Sequence, residues 1–281
     1  MRLFLAGVRG STPAPGPEFV RYGGHTSCVA LAHDGEPPTL LLDAGTGLRQ
    51  VTSLLDGAPF EGTLLFGHLH WDHIQGLPFF SAGDHEDARV DVFMPAQGDP
   101  IEVLERMISP PFFPIGPMEL RGKWSFAAFD PGTNEFEGFS VTALEIPHKG
   151  GRTFGYRISD GTATITYMSD HSPIAFGGGT MGLGDYHEAA RALVMKSDLL
   201  IHDSQHTTEE FAELSFLGHS AAEYAIGLAE TCGAGKVLLF HHAPNRTDDQ
   251  MDAFLRSCRS GREVPVDAAR DGQIIDLPER I

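Results

Sequence analysis

Apolar, β-branched runs recur along the chain at RLFLAGV, TSCVALAH, TLLLDAG, GTLLFGH, RVDVFMPA, WSFAAFD, FSVTALEIPH, FGYRIS and TATITYMSD, separated by turn-forming Gly, Pro, Asn or Asp. Short apolar runs punctuated in this way predict strands. The period lengthens at GLRQVTSLL, PIEVLERMI, YHEAARALVM, HSAAEYAIGLAE and DDQMDAFLRSC, which predict helices. Strands dominate the first two thirds, and in the last third helices alternate with the single strands SDLLIHD and KVLLFHH. That order fits an α/β protein whose sheets are covered outside by helices. Residues 1–281 read as a single domain, without a fixed-period repeat or a low-complexity tract. The best loop candidate is ISPPFFPIGP, Ile108 to Pro117, because its four prolines have no place in a regular element. Its Phe112 and Phe113 either cap a pocket or pin the loop to the core.

Composition narrows the classes. With 281 residues and 41% hydrophobic content, the chain can bury a sizeable core. Its formal charge of -18 argues against a protein that lives on duplex DNA or anionic lipid, since such affinity comes from Lys and Arg displacing counterions. A small anion can still bind where a metal reverses the local field. No run of about 18 apolar residues is present to span a bilayer, and MRLFLAGVRGSTPAPG meets Gly and Pro too soon for a signal peptide, so the cytoplasm is the default compartment. Cys28, Cys232 and Cys258 are odd in number and form no C-x-x-C pair, which predicts reduced, packed thiols.

The candidate chemistry starts where GTLLFGH ends. His68, His70, Asp72 and His73 follow within six positions, gathering neutral imidazoles and a carboxylate suited to two adjacent divalent ions. Along an extended segment His68 and His70 point to one side, and the turn carries Asp72 and His73 towards a second ion. Four residues do not complete two sites, so further ligands are expected at other strand ends. His148 ends FSVTALEIPH, Asp170 ends TATITYMSD and His241 ends KVLLFH, each before a loop, where open sheets collect ligands.

The order HLHWDH, PHKGGRTFGYRI, YMSD and LLFHHAP resembles the metallo-β-lactamase superfamily, which implies a four-layer αββα sandwich with a dinuclear metal centre. GVRGSTPAPG, YGGHTSCVAL, LLDAGTGL and GHSAAEYA extend the likeness over nearly the whole chain towards the phosphodiesterase branch: ribonuclease Z-like enzymes, cyclic-nucleotide phosphodiesterases and phosphoribosyl cyclic phosphodiesterases. The resemblance implies His68, His70 and His148 on one ion, Asp72, His73 and His241 on the other, and Asp170 bridging. His241 ranks ahead of His242 because Pro244 then completes the family's His-x-x-Pro pattern. It also implies that Asp43 supports the histidine loop through hydrogen bonds. His219 in GHSAAEYA becomes the general acid or transition-state stabiliser, with Asp203 of IHDSQHT as its orienting partner; Asp72 counts with these two as a catalytic residue. Three positions depart from the branch pattern: Gly67 replaces a threonine, His25 an asparagine, and HSP follows Asp170. His25 and His171 therefore bear on the pocket's substrate preference without an assigned role, and His242 reads as a pocket residue whose role is equally open. His33, His85, His187, His202 and His206 read as ordinary surface histidines, and Gly10 and Ser11 as a turn or as groups facing a substrate.

The expected activity is hydrolysis of a small or cyclic phosphodiester, of cyclic-nucleotide or phosphoribosyl cyclic phosphate type. It requires two divalent ions, zinc first and manganese or iron as alternatives, which together activate a water. Ribonucleases of the branch grip tRNA with a long arm inserted between the third and fourth motifs, whereas only 21 residues separate His148 from Asp170 here. The alternatives are a carbonyl ester, lactone or thioester hydrolase, an RNA 3′-end nuclease, a di-iron redox protein, and a non-catalytic scaffold. A filled ligand set disfavours the scaffold, and His70 disfavours the redox protein, which usually has Glu there. The resemblance also admits a homodimer.

Overall fold

A computed structural model of the chain describes residues 1–179 and 181–278. Strands β1 (Arg2–Gly7), β2 (Cys28–Ala32), β3 (Leu40–Leu42), β4 (Glu61–Leu65), β5 (Arg89–Pro95) and β6 (Lys123–Phe129) lie in that order in one sheet. The second contains, in order, β7 (Gly132–Phe136), β8 (Phe139–Glu145), β9 (Phe154–Ser159), β10 (Thr164–Met168), β11 (Leu199–Asp203), β12 (Val237–Phe240) and β13 (Val266–Ala268). The chain then crosses back, and β14 (Gln273–Asp276) pairs antiparallel with β1. Both sheets share a plan. Antiparallel pairing up to β3 or β10 gives way to parallel pairing from there on.

The apolar runs are explained by burial on both faces. In β1, Leu3 and Leu5 pack into the core between the sheets, while Phe4 and Ala6 face the outer helices. Tyr156, Tyr167, Ile201 and Phe240 of the second sheet meet Leu42 and Leu65 of the first across that core. Outside the first sheet lie α1 (Leu48–Val51), α2 (Trp71–Ile74) and α3 (Pro100–Glu105). Outside the second lie α4 (Glu188–Val194), α6 (Ala222–Cys232) and α7 (Asp248–Arg259). The result is an αββα sandwich, as the resemblance implies.

Several elements escape the apolar pattern. β7 is the polar edge strand GTNEF, joined to β8 through Glu137 and Gly138, both at positive φ, as a two-residue hairpin turn requires. The α5 helix (Thr208–Leu214) begins with a capping box, Thr207 and Glu210, which carries more signal than its apolar content. α6 starts at Ala222, so His219 precedes the helix by three residues rather than opening it. All three cysteines are free and buried. Among the described residues no helix is long and apolar enough to cross a membrane.

Candidate metal centre and active site

Side chains from four strand-end segments converge at one edge of the sandwich. His68 and His70 follow β4, His148 follows β8, Asp170 follows β10, and His241 directly follows β12; Asp72 and His73 sit in the short α2. The ligand atoms of His68, His70 and His148 lie within 4.8 Å of one another, and so do those of Asp72, His73 and His241. Asp170 stands between the groups. Its Oδ1 faces His68 Nε2 (3.8 Å) and His148 Nε2 (3.6 Å), and its Oδ2 faces His73 Nε2 (3.0 Å) and His241 Nε2 (3.4 Å).

Hydrogen bonds from behind set the ring orientations. Asp43, at φ 60°, closes β3; its Oδ2 takes His73 Nδ1 (2.8 Å) and Tyr167 Oη (2.8 Å), and its Oδ1 accepts the Gly67 amide (2.8 Å). His148 Nδ1 donates to the Gly218 carbonyl (2.7 Å). These bonds put a proton on Nδ1 of His73 and of His148 and turn each Nε2 towards the Asp170 carboxylate. His68 Nε2, His73 Nε2 and Asp170 Oδ2 are buried without a hydrogen-bond partner. Lone pairs and carboxylate oxygens held this close in a dry site repel unless a positive charge lies among them. The donor set therefore fits divalent cations with mixed N/O ligands.

The ionisation of these groups carries the same message. Burial would push the Asp72 and Asp170 carboxyls up, but the surrounding imidazoles hold both well below the usual range. Burial would lower His73, yet Asp72, Asp170 and Asp43 raise it well above an ordinary histidine. His68 goes the other way, held well below by burial and by His73.

Beside the cluster, Asp203 closes β11 and its Oδ2 accepts His219 Nδ1 (3.0 Å). Burial alone would lower His219; Asp203, then Asp170 and Asp72, raise it to about 9. Its ring lines a cavity of about 350 Å³ together with Ser11, His70, Trp71, Asp72 and Asp170. The proposed acid and the proposed metal ligands thus share one space.

Gln205 emerges only in three dimensions, and Ser11 gains a definite partner there. Ser11, at φ 63°, donates its amide to Asp72 Oδ2 (2.7 Å), and Gln205 Nε2 lies 3.1 Å from Ser11 Oγ and 3.3 Å from His241 Nδ1. Gly10 before Ser11 has a steric cause: a Cβ there would meet His241 Nδ1 at 2.5 Å.

The structure corrects several histidine readings. His202 and His206 are buried, not surface residues. His202 Nδ1 donates to the Asp203 carbonyl (2.6 Å), His171 Nδ1 lies 3.0 Å from His202 Nε2, and His187 Nε2 lies 2.8 Å from His171 Nε2. One consistent set of neutral tautomers satisfies this ladder, and burial keeps all three rings below the ordinary value, His187 at about 4. His187 also accepts the Ala190 amide as cap of α4. His33 stacks on Phe139 with ring centroids 4.1 Å apart. His85 is exposed, as expected. His242 points away from the cluster and donates to the Ala269 carbonyl (2.8 Å), while the half-buried His25 gives its backbone amide to Asp271 (3.0 Å).

The family described as the Beta-lactamase superfamily domain matches residues 39–242, which contain every strand-end ligand candidate. The chain belongs to the beta-lactamase superfamily. A ribonuclease Z of Methanosarcina acetivorans is 24% identical over 100% of this chain and 99% of its own length. The metallo-beta-lactamase fold protein YhfI of Bacillus subtilis superposes with a TM-score of 0.71 at 21% identity, covering 98% of both chains. The short form of human tRNase Z superposes with a TM-score of 0.66 at 19% identity, over 99% of this chain and 100% of that one. Superfamily membership and the ribonuclease Z relative support a hydrolase that uses divalent metal.

Proposed function

We propose that this single-domain superfamily member is a phosphodiesterase that hydrolyses a small or cyclic phosphodiester with two divalent ions. The carrying observation is Asp170, whose two oxygens each face one imidazole group. His68, His70 and His148 would hold one ion, Asp72, His73 and His241 the other, with Asp170 shared. When bound, such a pair lowers the pKa of a shared water towards neutrality and neutralises phosphate oxygens in an in-line displacement.

The protein's own residues supply the rest. Asp203 keeps the His219 ring charged and oriented, so His219 can deliver a proton to the departing alkoxide. Ser11 and Asp43 hold Asp72 and His73 in place through the bonds described above. The small substrate is supported by the modest cavity, close to the lower bound of ligand sites. The interval between His148 and Asp170 is occupied by β9 and β10, an antiparallel pair within the sheet, which leaves no room for an RNA-gripping arm. The charge of -18 also disfavours a long RNA body, although the ribonuclease Z relative keeps cleavage of a short RNA 3′ end as the second reading.

The test is zinc- or manganese-reconstituted protein assayed on bis(p-nitrophenyl) phosphate beside a panel of lactones and thioesters. Turnover of the phosphodiester is expected, whereas turnover of carbonyl esters alone would reject the reading. Cyclic nucleotides, cyclic ribose phosphates and short RNA 3′ ends then rank the substrates.

A further inference from the structure

Trp71 lies in the chain between His70 and Asp72, yet its ring is 74% exposed. It borders the cavity above the donor cluster and also a second concavity of about 410 Å³, whose walls include Phe79, Phe112, Arg106 and Gln75. Phe79 and Phe112 are 55% and 79% exposed. Phe113 is the residue that anchors: it packs edge-on against Phe79, with ring centroids 5.7 Å apart, and holds the proline-rich loop over the turn Leu77–Phe79. The paired phenylalanines thus divide their work, one pinning the loop and one facing the groove. Three exposed aromatic rings around one concavity are a feature that solvent disfavours and a ligand relieves.

We infer that this groove seats the heteroaromatic base of a nucleotide whose phosphodiester reaches the donor cluster through the shared Trp71 wall. The inference rests on the phosphodiesterase reading and deepens it, by separating nucleotides from base-free sugar phosphates. Aromatic side chains stack on the faces of any base. Arg106 adds a guanidinium that can stack on a base or donate to its edge, and the Gln75 amide offers both a donor and an acceptor. A hydrocarbon chain would use neither polar group, and a bare ribose phosphate would leave the rings wet. The Trp71 wall that the groove shares with the reaction cavity favours substrate over a second copy of the chain, which would need no such neighbour.

The experiment compares AMP with ribose 5-phosphate, which share sugar and phosphate and differ only in the base. Both are measured as inhibitors of bis(p-nitrophenyl) phosphate turnover by the zinc-reconstituted enzyme, and by calorimetric titration of the same sample. AMP is expected to bind about tenfold or more tightly than ribose 5-phosphate, the scale of one base–aromatic stack. Phe112→Ala and Phe79→Ala should each shrink that ratio about three- to tenfold; Phe112 is exposed enough that its truncation does not threaten folding. Equal binding of the two ligands overturns the inference, as does a ratio that the variants leave unchanged. Sedimentation of the Phe112→Ala variant adds one further outcome: a dimer that dissociates while the ratio persists assigns the groove to self-association and overturns the base site. Should the phosphodiester not be turned over, the phosphodiesterase reading fails, and the calorimetric ratio still decides the groove.

Discussion

Replacing Asp203 by Asn removes a charge while keeping the shape, and its consequences can be worked out atom by atom. Asp203 Oδ2 accepts His219 Nδ1 (3.0 Å) and the amides of His171 (3.1 Å) and Ser220 (3.3 Å), and Oδ1 accepts the Gln205 amide (3.1 Å). The new amide group does least harm facing Gln205, where one donor opposes another at a cost of about 1–3 kcal/mol. A domain of ordinary stability survives that. The larger effect is on His219. Near 9 in the native site, the ring is about nine-tenths charged at pH 8; a neutral residue 203 removes the largest of the interactions that raise it and leaves Asp170 and Asp72 to oppose burial. The sign follows: the acid form is the active one, so losing Asp203 moves the alkaline limb of the rate profile down. On a cyclic nucleotide, whose alkoxide leaving group needs a proton, kcat/KM should fall at pH 8 by up to about thirtyfold, the limit for a ring returned to the ordinary 6.5, and much less at pH 6. On bis(p-nitrophenyl) phosphate, whose phenolate leaves unaided, the loss should be small. The assay is kcat/KM from pH 5.5 to 10 on both substrates with metal held constant. Equal losses on the two, or an alkaline limb that does not move, would refute His219 as the proton donor.

Further consequences are open to direct measurement. His68→Ala or Asp170→Ala should abolish phosphodiester turnover while the circular dichroism spectrum stays near native, because each removes an atom from the donor cluster and none from the core; retained turnover in both would count against the two-ion reading. Asp43→Ala strands Gly67 N–H, Tyr167 O–H and His73 Nδ1 in a buried site, and should lower denaturant stability by about 3 kcal/mol or more as well as metal affinity. Gly10→Ala should weaken metal binding about 10- to 100-fold by displacing His241, with little effect on the melting temperature of the metal-free protein. Zinc added at about 100 times its dissociation constant should stabilise the fold by about 2.7 kcal/mol, read as a rise in melting temperature that a chelator reverses.

Much of the architecture was legible because these strands are buried on both faces and therefore read as unbroken apolar runs. β1, with Leu3 facing one layer and Phe4 the other, is of this kind, as are β4 and β12. β7 was not legible: an edge strand half open to water carries GTNEF, and nothing in that composition separates it from a loop. Histidines posed the same difficulty in reverse. His85 and His206 stand in similarly polar surroundings in the sequence, AGDHEDAR and SQHTTEE, yet one is exposed and the other buried, because the second bridges to Ala221 just ahead of α6.

The sequence by itself determined the candidate ligands, since chemistry demands imidazoles and carboxylates and the pattern put them at the ends of apolar runs. Only the tertiary structure shows how their atoms are grouped, which spacing along the chain leaves open. Only the meeting of the ends of β4, β8, β10 and β12 turns one oxygen of Asp170 to each imidazole group, places Ser11 behind Asp72, and lets Asp203 reach His219 across 16 residues. Distances between residues far apart along a chain are set by packing of the layers, and packing is a property of the whole fold that no local run of residues encodes.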